Sequence, residues 1–429
     1  MAVFDTIQGA LDRFITPISV KMSNNAVVQA LSGGMMSVMP VTLGVSLMAV
    51  VINFTVGGWK DILMSSGLYT VGNEVLAVTL SLLALYLSFT IATRYGVSIG
   101  LNGTNSAVVT LGIMLVLMPI TLDGETYKYF INTSYLGSNG IFMALVLGIA
   151  VPAILQALMK RFTFKLPDTV PPMVSESLAP TFATIIMFTA AFLIKWGFTF
   201  TPWGNVFDMV NTFISAPIMN VGTSPFAVLI VYTLASLVWF FGVHPSVITN
   251  VYAPVMLAVM AANTEAALAG NPLPYLTVFV MRLQMALGGT GEGIGVALSL
   301  LFTKSERYKA MRKIAVAPAL FNISEPLMFG LPVVLNPVYL VPCLLATPVC
   351  GCVAWVLCQF GLGAGLNPSI LMPWIMPAPV SAFFMGGIGL AIISLICCIV
   401  ATLVFFPFVK AADNMALAEE AQKRAAEEA

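Results

Sequence analysis

Charge is what this chain has least of. Of its 429 residues, 18 are Lys or Arg and 18 are Asp or Glu. That is 8% charged, against about 25% in ordinary globular chains, too few to cover the surface of a water-soluble domain of this size. The two signs balance, which excludes both a basic nucleic-acid binder and an acidic disordered protein. Strand-length alternation of apolar and polar residues is also missing, which argues against a transmembrane β-barrel. There is one histidine, His244. The six cysteines (Cys343, Cys350, Cys352, Cys358, Cys397, Cys398) lie in apolar runs with no His, Asp or Glu near them. They read as buried small hydrophobes, and the sequence calls for no metal and no cofactor. A cleavable leader is not expected, because Asp5, Asp12, Arg13 and Lys21 interrupt any early apolar stretch.

What is present is apolar sequence, 59% of the chain, in runs long enough for the ~20 residues that cross a bilayer as helix. The fold class is therefore an all-α polytopic membrane protein. Residues 1–25 are mildly amphipathic and expected on the membrane surface. Spans are expected near 27–54, 74–93 (stopping at Arg94), 104–121, 140–159 and 179–200, with a polar loop over 122–139. The stretch 201–224 holds Pro202, Trp203, Asp208 and Pro217 and reads as a surface or partly re-entrant helix. A sixth span covers 225–243. An apolar segment with prolines and asparagines then runs to about 262, and further spans fall near 276–302, 311–334, 337–362 and 381–408. Two of these are interrupted, one by Gly288-Gly289-Thr290-Gly291-Glu292-Gly293 and the other between Asn322 and Pro326. The Ala/Glu/Lys/Arg-rich residues 410–429 are expected to form a solvated helical tail.

Lys and Arg set the orientation. With the N-terminus inside and ten full crossings, the inside holds Arg13, Lys21, Arg94, Lys160, Arg161, Lys165, Lys304, Arg307, Lys309, Arg312, Lys313, Lys410, Lys423 and Arg424. That is 14 of 18, an excess that follows the positive-inside rule and puts both termini in the cytoplasm.

Ionisable groups inside such a chain are costly, about 2.5–3.5 kcal/mol each at a helix centre, and so mark cavities or partners. His244 is followed by Pro245, and Glu325 by Pro326. Proline lacks the N–H that helix continuation needs, so both ionisable groups should sit at breaks in regular helix. Such breaks are tolerated at membrane depth only beside protein or water. The apolar flanks of Glu325 suggest a desolvated carboxylate able to act as a base, with a structural pairing to Arg282 as the alternative. Glu292 lies in the glycine-rich turn, where backbone amides can approach a ligand or a second chain segment. Trp239 and Trp374 offer flat faces for a sugar ring, although tryptophans near helix ends also serve as interface anchors. Asn322, Gln284 and Asn250 are possible hydroxyl partners.

Three features together resemble enzyme IIC of the bacterial phosphotransferase system, in the lactose/cellobiose/diacetylchitobiose branch. One is Val243-His244-Pro245 after a Trp-containing span. Another is the Gly-Gly-Thr-Gly turn about 45 residues later. The third is Ile323-Ser324-Glu325-Pro326-Leu327-Met328-Phe329-Gly330, similar to the family's I-x-E-P-L-x-F-G signature and followed by Leu335-Asn336-Pro337. Pro373-Trp374 also falls where the branch carries a Pro-Trp pair.

The resemblance implies a glucose-superfamily enzyme IIC fold, a homodimer whose protomers have about ten transmembrane helices and two re-entrant hairpins. The first half, 26–200, would be the scaffold and dimerisation half; the second, 201–408, would bind sugar and move as a body, with 409–429 a cytoplasmic tail. The family's site His and Glu map onto His244 and Glu325, and its tryptophans onto Trp239 and Trp374. The sugar would be phosphorylated in the bacterial inner membrane by a phosphocysteine on a separate enzyme IIB. In that chemistry Glu325 accepts the proton of the sugar 6-hydroxyl, while His244 orients it or stabilises charge on the phosphoryl group. The basic stretch 303–313 would be a docking surface for the B protein, or ordinary positive-inside charge. One departure from the branch is Glu292-Gly293-Ile294 after the glycines, an added carboxylate that would alter specificity if it faced the sugar. Two other classes stay open at this point: an ion-coupled secondary transporter with broken helices at the midplane, and a non-transporting sensor derived from a permease.

Overall fold

The computed structural model describes residues 25–53, 58–122, 129–162, 171, 174–175, 178–331 and 333–427. The amphipathic segment expected at the N-terminus and Lys165 lie outside them. The helices are α1 (Ala26–Ser37), α2 (Met39–Asn53), α3 (Trp59–Ser65), α4 (Leu68–Leu80), α5 (Leu83–Ser98), α6 (Gly103–Leu117), α7 (Ile141–Met159), α8 (Thr181–Phe198), α9 (Val206–Val210), α10 (Ala216–Gly222) and α11 (Pro225–Phe240). They continue as α12 (Ser246–Leu268), α13 (Leu276–Gln284), α14 (Gly293–Ser299), α15 (Glu306–Leu320), α16 (Pro337–Gln359) and α17 (Ala378–Glu427). Wider π-helical turns occupy Asn211–Ser215 and Pro326–Gly330. The expected polar loop carries a small antiparallel ribbon, β1 (Ile120–Leu122) and β2 (Tyr129–Ile131), with Thr121 opposite Phe130.

Among the described residues, seven helices are long and apolar enough to cross a membrane. An eighth is possible if Val206–Gly222 and Pro225–Phe240, bent by 75°, form one broken span. Gly103–Leu117 and Gly293–Phe302 are shorter apolar helices. The stretch 201–224, expected as a surface or partly re-entrant helix, is helical over Val206–Gly222.

Arg94, the expected end of the second span, lies one turn before the end of α5 at Ser98, and its Nη2 donates to Ser37 Oγ at 3.0 Å. Close helix packing around this point uses small residues. Ile91 sits between Gly34 of α1 and Gly148 of α7. A Cβ at either glycine would come within 2.5 Å or 2.7 Å of the isoleucine side chain.

Among the described residues the core comprises three packed clusters. Leu87, Ile91, Ile113, Leu147 and Met187 belong to one, which also takes in Phe207 and Ala258. Tyr232, Val280, Met285, Cys350, Ile393 and Cys397 belong to the second. Trp239, Phe240, Leu300, Tyr339 and Phe405 belong to the third. Five cysteines are buried; Cys352 is exposed, against the expectation for the set, because it lies on an outward face of α16.

The tail is not merely solvated. It continues α17, and Ala412, Asp413 and Ala416 are buried. Asp413 accepts from the backbone N–H groups of Lys304 (3.0 Å) and Ser305 (2.9 Å), and Glu420 from that of Arg307 (3.2 Å). These carboxylates satisfy free donors at the start of α15. Ser305 Oγ completes the cap by accepting from Tyr308 N–H. The basic stretch 303–313 is consequently helical from Glu306 rather than a loop.

Candidate functional site

Two helices end in the same way, and each end delivers an ionisable side chain. At the close of α11, Gly242 adopts φ +79°, its N–H bonds Trp239 O at 2.9 Å, and Val243 N–H bonds Val238 O at 3.0 Å. At the close of α15, Asn322 adopts φ +61°, its N–H bonds Ala319 O at 3.0 Å, and Ile323 N–H bonds Pro318 O at 3.0 Å. A left-handed residue with this pair of backbone bonds is the usual helix stop, and Gly and Asn are the residues that tolerate it. His244-Pro245 and Glu325-Pro326 follow directly, each proline standing at the start of the next helical segment, where its missing N–H costs little. The two breaks are joined. Leu335 N–H, ten residues beyond Glu325, donates to Phe240 O at 3.0 Å.

Both breaks open on one cavity of about 930 Å³. His244, Glu325, Trp239, Trp374, Gln284 and Asn322 all line it. His244 Nδ1 accepts from Ser246 N–H at 3.2 Å and lies 2.7 Å from Ser246 Oγ. Because Nδ1 receives a backbone proton, the neutral ring carries its own proton on Nε2, which is left as a donor. The ring packs edge-on against Trp239, centroids 5.4 Å apart. Trp239 is itself buried, with Phe329 at 5.5 Å on another side. Its Nε1 has no hydrogen-bond partner among the described residues. Trp374 is 64% exposed, so its ring is open to a ligand.

Glu325 is exposed on the cavity rather than desolvated by its apolar flanks, because the turn after Asn322 points it away from the packed side on which Ser324 and Leu327 are buried. It does not pair with Arg282. Among the described residues the ion pairs are Lys309–Glu306 and Lys410–Asp413, and the Arg282 Nε–H instead donates to Tyr232 Oη at 3.2 Å.

Asn322 is a clasp. Its Nδ2 donates to Trp374 O and to Met376 O (2.6 and 2.9 Å), and its Oδ1 accepts from Gly288 N–H at 2.9 Å. One side chain thereby ties the glycine turn, the Glu325 break and the Trp374 segment together. That amide is committed to backbone groups, so a sugar hydroxyl would have to share it. Gln284 is 1% exposed at the cavity wall, its Oε1 buried and without a hydrogen-bond partner among the described residues.

Two expected site residues stand apart. Asn250, early in α12, does not line the cavity. Glu292 does not either. It takes φ +56°, is fully buried, and its Oε2 accepts from Leu287 N–H at 3.3 Å within its own turn. Gly289 and Thr290 line the cavity in its place. The left-handed run through Gly288, Gly289 and Gly291 turns the Glu292 side chain inward. The added carboxylate is therefore turned away from this cavity.

Sequence reasoning did not single out Tyr232, nor the wall built by Met35, Val38 and Thr42 of α1 and α2. Tyr232 carried one signal: it precedes Trp239 by seven residues, two helical turns on the same face. The contribution of α1 and α2 had none.

The chain is 34% identical to a PTS system galactose-specific EIIC component of Lactococcus lactis subsp. cremoris, over 97% of both chains. It is 28% identical to a PTS system oligo-beta-mannoside-specific EIIC component of Bacillus subtilis, over 98% of this chain and 97% of that one. Its fold matches the crystal structure of the transporter ChbC, the IIC component of the N,N'-diacetylchitobiose-specific phosphotransferase system. The TM-score is 0.87 at 25% identity, covering 96% of this chain and 99% of that one. The sequence pattern described as "Phosphotransferase system, EIIC" matches residues 32–347, the stretch that carries both proline breaks and the glycine turn between them. The family match over most of the chain, the near full-length kinship and the shared fold agree: this chain belongs to the phosphotransferase system EIIC family.

Proposed function

We propose that the chain is the membrane permease component of a phosphoenolpyruvate-dependent sugar phosphotransferase system, and that it carries a β-linked disaccharide to a phosphorylated enzyme IIB. The observation that carries the reading is the meeting of His244 and Glu325 on one cavity of a IIC-family fold. The chemistry follows from those two groups. The sugar 6-hydroxyl attacks phosphorus as the S–P bond of the phosphocysteine breaks and sulfur leaves as thiolate. Glu325 takes the hydroxyl proton. The Nε2–H of His244 donates to the hydroxyl as it is positioned, or to a phosphoryl oxygen as charge builds there. Trp239 and Trp374 frame the ring. Phosphorylation makes the product a dianion that does not recross the bilayer.

The same reading gives residues 26–200 to scaffold and dimerisation and 201–408 to sugar binding and transport, within a homodimer whose termini face the cytoplasm. It is supported by the apolar cluster of α5, α6 and α7 and by the cavity lining, most of which comes from Tyr232 to Met385. The helical surface from Lys304 to Lys313, braced by the tail, is the docking site for the B protein in this reading.

Sugar phosphorylation by membrane vesicles containing this chain, with and without phosphorylated B protein, tests it across monosaccharides and β-disaccharides. Sugar phosphate that appears only with B is the expected result. Gradient-driven uptake without any B-dependent product would instead identify a secondary transporter.

A further inference from the structure

The cavity has a second polar end, and its charge is unspent. Arg282 lines the cavity from α13 and forms no ion pair among the described residues. A cation at membrane depth is costly and is kept where it meets a partner or a polar ligand. Its Nε–H is tied to Tyr232 Oη at 3.2 Å, which fixes the plane of the guanidinium and leaves the two terminal nitrogens as a donor fork. Tyr232 is 7% exposed and packs edge-on against Tyr252, so the support is rigid.

The position of this pair is set by α11. Tyr232 precedes Trp239 by seven residues of unbroken helix, a rise of about 10 Å at 1.5 Å per residue. Both residues line the same cavity. Trp239 marks the reacting end with His244 and Glu325. The Arg282–Tyr232 pair therefore stands about 10 Å further along the same wall, at the far end of a disaccharide whose first ring lies at Trp239.

We infer that Arg282, oriented by Tyr232, is a specificity residue that hydrogen-bonds the hydroxyls of the second, non-phosphorylated sugar ring. This rests on the sugar-permease reading above and deepens it. Arg282 has no part in the transfer step itself; it rewards a substrate long enough to reach it.

The test separates the two ends by ligand length. Binding of cellobiose, lactose, glucose and galactose to the full-length protein in detergent is followed by intrinsic tryptophan fluorescence, without any B protein. Wild type should bind at least one disaccharide tighter than its constituent monosaccharide. Arg282→Lys keeps the charge but loses the planar fork, and should weaken disaccharide binding roughly ten- to a hundredfold, the size expected for hydrogen bonds to a charged group. Tyr232→Phe should give a smaller loss in the same direction, through the freed guanidinium. Monosaccharide binding should change less than twofold in both. Equal losses for both sugar lengths, no loss, or no disaccharide preference in wild type overturns the inference. The length-dependent losses without B-dependent phosphorylation would leave Arg282 in place and remove the phosphotransferase reading instead.

Discussion

Glu292 and Glu325 are the same residue type, both in broken backbone and both flanked by small or apolar neighbours, yet they face opposite ways. Glu325 follows a helix stop by three residues and precedes a proline; it is exposed on the cavity. Glu292 follows three glycines in left-handed conformation and is fully buried, one oxygen on Leu287 N–H and the other unpartnered. A break in a membrane helix thus does not by itself make a site. What decides is whether the cap leaves the following side chain on the open or the packed side. Glu325 has the Asn322 clasp behind it, whereas Glu292 is the packed side of its own turn.

The sharpest break of that comparison is Glu325→Gln. It keeps size and polarity but removes the proton acceptor, and B-dependent sugar phosphorylation should fall by about 10²–10⁴-fold while sugar binding stays measurable. A near-normal rate would take Glu325 out of the transfer step. His244→Ala should weaken sugar affinity by about tenfold, the worth of one good hydrogen bond from Nε2–H plus ring contact. Unchanged affinity by tryptophan fluorescence would leave the histidine only its bonds to Ser246.

A third change separates the clasp from the cap. Asn322→Gly preserves the left-handed turn but deletes three hydrogen bonds, so it should destabilise the fold by about 0.5–1.5 kcal/mol per bond. Thermal unfolding in detergent reads this as a lowered Tm; an unchanged Tm would mean that the glycine turn and the Trp374 segment are held by other contacts. The smallest effect is expected at Glu292→Gln. The amide oxygen can still accept from Leu287 N–H, so phosphorylation and KM should stay within about twofold of wild type. A large change in KM would bring Glu292 back to the sugar and undo the contrast with Glu325.

Much of this was legible in advance for a physical reason. Apolar runs of bilayer length can only be helices in lipid, because every backbone donor must be satisfied within its own segment. The spans at 26–52, 138–159, 181–198 and 337–359 therefore lie close to their expected places. His244-Pro245 and Glu325-Pro326 were visible as breaks for a similarly local reason: proline has no N–H to give. The errors came where a local pattern met a distant partner. Residues 410–429 looked free, but Asp413 and Glu420 cap a helix more than a hundred positions earlier.

The sequence by itself determined the membrane class, the position of the helix breaks and the two ionisable groups that follow them. These depend on composition and on backbone chemistry within a few residues. The tertiary structure alone decided which groups share a cavity. It set Glu325 on the open side and Glu292 on the packed side, brought α1 and α2 to the cavity wall, and placed Arg282 against Tyr232 rather than against Glu325. Side-chain direction at a break is fixed by what packs behind it, and that neighbour comes from elsewhere in the chain.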